Sequence, residues 1–227
     1  MLQLPLDIQL DATAKLDNFY PSSNRQIWQK LKKLTQSNDD FIFIWGAQNV
    51  GKSHLAQAIC REYSDKDLTA AYFPLNNKAL APEVLEGLEF ANLVCLDSLQ
   101  SVLDEPVWQQ SLFNLFNNLK HKHRQFIIFA EDSPKNFSLE LADLQSRFNS
   151  MEIYKLEALT DQQKIGFVIS SAEHLGLDIS PEVAQFILLR SSREVKDLIK
   201  IINLLDTQSI AQQRKVTIPF VKQVLSL

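Results

Sequence analysis

Phe41-Ile42-Phe43-Ile44-Trp45-Gly46-Ala47-Gln48-Asn49-Val50-Gly51-Lys52-Ser53 is the stretch that decides the fold. An apolar run ending at Trp45 reads as a buried strand, residues 46–53 carry the spacing GxxxxGKS, and His54 to Tyr63 continue as a helix. Strand, glycine loop and helix in that order give the context in which this motif means a phosphate-binding loop. Glycines let backbone N–H groups turn inward around a phosphate, Lys52 reaches the β and γ oxygens, and Ser53 can ligate Mg²⁺. The helix adds its free N–H groups and the positive end of its dipole. Gly46, Asn49, Val50, Gly51, Lys52, Ser53 and His54 are the resulting candidate nucleotide contacts.

Outward from the loop, short apolar runs alternate with helical patterns. Strands are expected near Ala70 to Leu75, Leu93 to Asp97, Phe126 to Ala130 and Ile153 to Leu156. Trp108, Leu112, Leu115, Phe116 and Leu119 make one face of a helix running from Pro106 to Leu119. Such alternation predicts an α/β unit with a mostly parallel sheet flanked by helices. After Leu156 the strand signals stop. Helix starts are expected at Thr160 with Gln163, at Ser180 with Pro181, and at Ser192, so a small all-helical unit closes the chain.

The run Leu93-Val94-Cys95-Leu96-Asp97 is an apolar strand ending in an acid, which makes Asp97 the second candidate for the Mg²⁺ shell. Ser98 follows, where many ATPases of this architecture carry a second acid that polarises the attacking water. A hydroxyl is a poor base, so weak or absent intrinsic hydrolysis is expected. The alternative is that Asp104 or Glu105 folds back to supply that base.

A net charge of −4 over 227 residues argues against a protein that mainly grips phosphate backbones. The densest basic patch, Lys120-His121-Lys122-His123-Arg124, falls at a helix end, where cations complement the dipole. With 45% hydrophobic residues, no apolar run of membrane-spanning length and no signal-peptide pattern at Met1 to Asp7, the chain reads as cytoplasmic, with no membrane partner. Cys60 and Cys95 sit at core positions and read as buried thiols.

Several further stretches resemble the DnaA/Hda family of AAA+ proteins, and within it the short regulatory members. Leu16-Asp17-Asn18-Phe19 is similar to the family's lead-in to the adenine pocket, which makes Asn18, Phe19 and Tyr20 adenine-side candidates. Leu141 to Phe148 resembles the segment with the arginine finger, and Arg147 matches the finger. Arg193, in Ser191 to Leu198, matches the sensor 2 arginine of the lid, and the run Ala211 to Lys222 resembles the regulatory members throughout. Glu131 falls at the sensor 1 position on this resemblance, with Asp132 beside it, and the role of both is left open.

On this resemblance the chain divides into an N-terminal segment, 1–10, an AAA+ base, 11–156, and a helical lid, 157–227. The segment Gln3-Leu4-Pro5-Leu6 resembles the peptide by which regulatory members bind the sliding clamp, the β subunit of DNA polymerase III. A second frame places Met1 at the glutamine position. The family's DNA-reading helix-turn-helix domain has no counterpart before Leu227, so no direct sequence-specific DNA binding is expected. What the resemblance implies is a regulatory inactivator: with ADP or ATP and Mg²⁺ bound, it docks on ATP-bound DnaA at the DNA-loaded clamp. Arg147 then promotes hydrolysis there, preventing re-initiation. Self-association is left open. The competing expectation is a self-acting AAA+ ATPase of the helicase-loader type, and a third, a P-loop small-molecule kinase, lacks a recognisable acceptor site.

Overall fold

The computed structural model describes residues 14–227. The elements run α1 (Arg25–Lys32), β1 (Phe41–Trp45), α2 (Lys52–Ser64), β2 (Ala70–Pro74), β3 (Leu93–Asp97), α3 (Pro106–His121), β4 (Gln125–Ala130), α4 (Ala142–Asn149), β5 (Glu152–Lys155), α5 (Asp161–His174), α6 (Pro181–Leu189), α7 (Val195–Gln212) and α8 (Ile218–Leu225). The Gln3-Leu4-Pro5-Leu6 segment lies outside the described residues.

Five strands form one parallel sheet in the order β2-β3-β4-β1-β5. A parallel sheet is covered on both faces, so its inner strands read as continuous apolar runs. The pleat divides them: Phe41 and Phe43 join Val94, Leu96, Phe126 and Ile128 in a core with α3 and α4 residues such as Leu112 and Phe148. Ile42 and Ile44 face the other way with Leu93, Cys95, Ile127 and Phe129, against Leu55, Ile59 and Cys60 of α2. The edge strands β2 and β5 are less buried than the inner three. Both thiols are buried and unbridged.

One compact unit contains the described residues up to Phe19 together with Asn24–Glu157, and a second contains Tyr20–Ser23 and Ala158–Leu227. In the first, the buried Asn24 side chain donates to the Glu157 carbonyl at 2.9 Å and accepts from the Glu157 amide at 2.8 Å. In the second, Phe167, Val168, Ala184, Ile187, Leu198, Ile202, Leu205 and Phe220 build a separate helical core. Thr160 and Gln163 form a reciprocal capping box at α5, and the Ser180 and Thr217 hydroxyls cap α6 and α8.

Three helices are bounded differently from the sequence expectation, and the ends of β2, β4 and β5 shift by a residue. Helix α2 starts at Lys52, two residues before His54, because the left-handed Gly51 ends the loop there. Helix α3 continues to His121, which places Lys120 and His121 in its last turn. The third lid helix starts at Val195 and not at Ser192: Arg193 has φ of +62°, which no helix accommodates, and the Ser192 hydroxyl bonds the Asp197 carboxylate at 2.7 Å.

Candidate functional site

The carboxyl ends of β1, β3 and β4 bring the loop, Asp97 and Glu131 to one edge of the sheet, the side on which open parallel sheets bind ligands. Gly46 leaves β1 buried so closely against the next segment that a Cβ there would overlap the Leu156 carbonyl. Asn49 and Gly51 take positive φ of 60° and 103°. Such turns aim consecutive amides toward one concavity. Val50 between them packs on the core of α2. Gly51 is the N-cap of α2 and offers no side-chain cap, so the first helical N–H groups stay available to an anion.

Lys52 is only 8% exposed. Its ammonium donates to the carbonyls of Gly46 at 2.6 Å and Ala47 at 2.7 Å, so the cation is held within its own loop. Burial pushes the Lys52 ammonium below its ordinary value, and the nearby charges of Glu131 and Asp97 oppose the shift. Ser53 is exposed in the first turn of α2. His54 faces the Lys15 carbonyl through Nε2 at 3.1 Å and stacks on Phe19, with ring centroids 6.3 Å apart. Phe19 also lies over Gly51, where an added Cβ would meet its ring at 3.4 Å.

Asp97, at the end of β3, is 2% exposed. Its Oδ2 accepts from the Tyr72 hydroxyl at 3.0 Å, whereas Oδ1 is buried with no hydrogen-bond partner among the described residues. A buried carboxylate oxygen without a donor is costly. The unpartnered oxygen, the buried ammonium of Lys52 and the positive-φ loop together fit a phosphate with Mg²⁺. No group of three or more His, Cys, Asp or Glu among the described residues could hold a metal, so phosphate and water oxygens would complete a shell begun by Ser53 and Asp97.

Ser98 is left-handed, with φ of 61°, and opens a 3₁₀ turn over Leu99–Ser101. Asp104 and Glu105 are both exposed ahead of α3. The Glu131 amide donates to Gln100 at 3.2 Å while its side chain stays exposed. Asp132 is occupied locally, its Oδ1 accepting from the Ser133 amide and the Asn136 side chain, each at 2.7 Å.

The two arginines differ. Arg147, in the last turn of α4, is exposed, lies 5.7 Å from the centre of the Phe116 ring, and has no carboxylate partner among the described residues. Arg193 pairs with Asp161 at 3.0 Å inside the helical unit. Of the three adenine-side candidates, Asn18 is exposed at the end of a 3₁₀ turn and Phe19 sits by the loop. Tyr20 belongs to the second unit and meets Gly166 and Phe167 of α5. Sequence reading missed Tyr72 altogether. The only local signal was a tyrosine in an otherwise apolar strand.

Comparison with known proteins gives a consistent picture. A family model described as the Hda lid domain matches residues 161–225. An uncharacterized protein of Haemophilus influenzae is 40% identical over 228 residues, covering 99% of each chain. Among solved structures, domain III of the Thermotoga maritima replication initiation protein DnaA aligns with a TM-score of 0.75 at 20% identity, over 96% of this chain and 98% of that one. AMPPCP-bound DnaA from Aquifex aeolicus aligns with a TM-score of 0.74 at 22% identity, over 89% and 68%. Among the described residues no helix is long and apolar enough to cross a membrane.

Proposed function

Residues 161–225 match the Hda lid domain and the chain has the fold of DnaA domain III, and from that premise we propose that it is a member of the Hda/DnaA family of AAA+ proteins and a regulatory inactivator of the initiator DnaA. On this reading it carries ADP or ATP with Mg²⁺ and stimulates hydrolysis of the ATP held by DnaA. The observation that carries the proposal is Arg147: a permanent cation, exposed and without a carboxylate partner among the described residues, on a helix packed into the base. A guanidinium presented outward suits a neighbour's γ-phosphate, because its planar fork matches phosphate oxygens. A finger supplied in trans accelerates hydrolysis by about 10³- to 10⁵-fold.

The chain's own nucleotide has a holding role. Lys52 would exchange its loop carbonyls for phosphate oxygens, the loop amides and the α2 N-terminus would cradle the same group, and Ser53 and Asp97 would hold Mg²⁺, which would supply neutralisation of the phosphate charge. His54, Asn18, Phe19 and Tyr20 would serve the base, and Arg193 would leave Asp161 for the nucleotide. The related DnaA of Aquifex aeolicus was solved with AMPPCP, which supports an adenine nucleotide here. Ser98, in place of a second acid, supports slow turnover and hence a retained ADP. The Gln3-Leu4-Pro5-Leu6 peptide would tether the protein to the DNA-loaded clamp in the cytoplasm.

The complete phosphate loop with Asp97 also favours a second reading, a self-acting AAA+ ATPase of the helicase-loader type that self-associates. One experiment separates the two: hydrolysis of ATP preloaded on the cognate initiator, with this protein and ADP, with and without clamp on DNA. The proposal expects clamp-dependent conversion that Arg147→Ala reduces to background while ADP binding is unchanged. Steady ATP turnover by this protein alone, with no conversion on the initiator, would establish the second reading. Full stimulation by Arg147→Ala would remove the finger assignment.

A further inference from the structure

Asp97 does not hold its own orientation. It ends β3, and the strand register pairs it with Pro74 and pairs Cys95 with Tyr72. The pleat therefore puts Tyr72, Cys95 and Asp97 on the face covered by α2, and Tyr72 packs with that core. There the phenol has two polar neighbours. Its hydroxyl donates to Asp97 Oδ2 at 3.0 Å, and the Gln57 side chain hydrogen-bonds to the same hydroxyl. A carboxylate oxygen can only accept, so the phenol is the donor in this bond.

Gln57 stands one helical turn after Ser53, on the same stripe of α2. The chain Gln57–Tyr72–Asp97 thus runs from the helix carrying one candidate Mg²⁺ ligand to the strand carrying the other. Because Oδ2 is engaged, the carboxylate cannot rotate freely, and Oδ1 is the oxygen left without a partner.

We propose that Tyr72 is a positioning residue for Mg²⁺: by engaging Oδ2 of Asp97 it presents Oδ1 to the metal shell of the bound nucleotide, with Gln57 orienting the phenol. The inference rests on the nucleotide-site reading above and adds the residue that orients its acid. Groups that orient a metal ligand typically contribute about ten- to a hundredfold in metal affinity.

The test is calorimetric titration of ADP into the full chain, in EDTA and over a series of Mg²⁺ concentrations, for wild type, Asp97→Asn, Tyr72→Phe and Gln57→Leu. The expected result is that Mg²⁺ strengthens ADP binding to wild type and that Tyr72→Phe cuts this strengthening about tenfold. Affinity in EDTA stays within about twofold, since the hydroxyl would act through Asp97 and the metal. Gln57→Leu shifts the Mg²⁺ dependence the same way by a smaller factor, and carries the test if Tyr72→Phe fails to fold. A purely structural tyrosine would lower the melting temperature yet leave the Mg²⁺ dependence at the wild-type value, which overturns the proposal. If Asp97→Asn abolishes the Mg²⁺ effect and neither Tyr72→Phe nor Gln57→Leu moves it, only the role of Tyr72 fails. If wild type binds ADP identically with and without Mg²⁺, the metal-site reading fails and takes the Tyr72 proposal with it.

Discussion

The two ends of the parallel sheet treat polar groups in opposite ways. At the amino end, Lys30 bridges Asp40 and Glu152, each at 2.8 Å. Gln125 shares its amide among the carbonyls of Leu34 and Ser37 and the Asp40 carboxylate, while accepting from the Tyr63 hydroxyl. Ser37 also donates to Asp40, and Tyr154 to Glu152. Among the described residues there, the flanking Asp39 and Arg124 keep a buried atom without a partner, and Asp39 is already paired to His123 through its other oxygen. At the carboxyl end, among the described residues, Lys52 is held by two loop carbonyls and Asp97 keeps Oδ1 unpartnered at 2% exposure. A network that holds strands together gains by satisfying every donor and acceptor. A site that must exchange partners with an anion and a cation keeps some of them in reserve.

The largest expected effect falls on the carboxyl end. Lys52→Ala should weaken ADP binding by about a hundredfold, roughly 3 kcal/mol, because charge-assisted bonds to phosphate are lost. Its melting temperature without ligand should change little, and a large drop would mean that the loop depends on this lysine as the amino end depends on its own network.

Next in size is Gln125→Leu, which strands the Tyr63 hydroxyl and the Leu34 and Ser37 carbonyls around a residue only 4% exposed. Urea unfolding should show a loss of about 2–4 kcal/mol, with ADP affinity unaltered.

The pH response should follow the same network. Burial alone would raise the Asp40 and Glu152 carboxyls. Hydrogen bonds outweigh it, from Lys30, Ser37 and Gln125 for Asp40 and from Lys30 and Tyr154 for Glu152, and both sit below their ordinary values. The folded state therefore holds these protons less tightly than the unfolded chain. The stabilisation is present above the ordinary carboxylate range and is lost as pH falls through it. Lys30 is shifted upward by the same two partners, so its share persists across neutral pH and is lost only in strong base. Melting temperatures should fall on acidification from pH 6 to pH 3, and Asp40→Asn should flatten that slope; an unchanged slope would show that the network is not what titrates.

The smallest effect is reserved for Asp161→Asn. The Arg193–Asp161 pair is exposed on both sides, and such pairs contribute about 0–1 kcal/mol. Thermal unfolding should shift accordingly little, whereas a larger loss would make Arg193 a structural residue of the helical unit.

Much of this was readable from local pattern. β1, the loop and α2 are contiguous, β3 ends visibly at Asp97, and Thr160 with Gln163 spells a capping box that the structure forms. Ser192 misled for an equally local reason: a serine ahead of a helical stretch looks like a cap in sequence, but Arg193 is left-handed and the helix starts at Val195. Tyr72 was invisible because its partner is chosen by the β2–β3 register, 25 residues away in sequence. The fate of Asp132 was equally hidden until its oxygen was seen filled by Ser133 and Asn136.

By itself the sequence determined the parallel α/β base, the helical unit after it and the place of the glycine loop between β1 and α2. Apolar periodicity, glycine placement and capping residues act over a few positions and are written contiguously. Only the tertiary structure decided which polar atoms are satisfied and which are not: that Lys52 rests on its own loop, that Asp97 spends one oxygen on Tyr72, that Arg193 pairs with Asp161 while Arg147 has no carboxylate partner among the described residues. Those outcomes depend on strand register and helix packing between distant residues, and hydrogen bonds form or fail over tenths of an ångström that no spacing rule in the chain encodes.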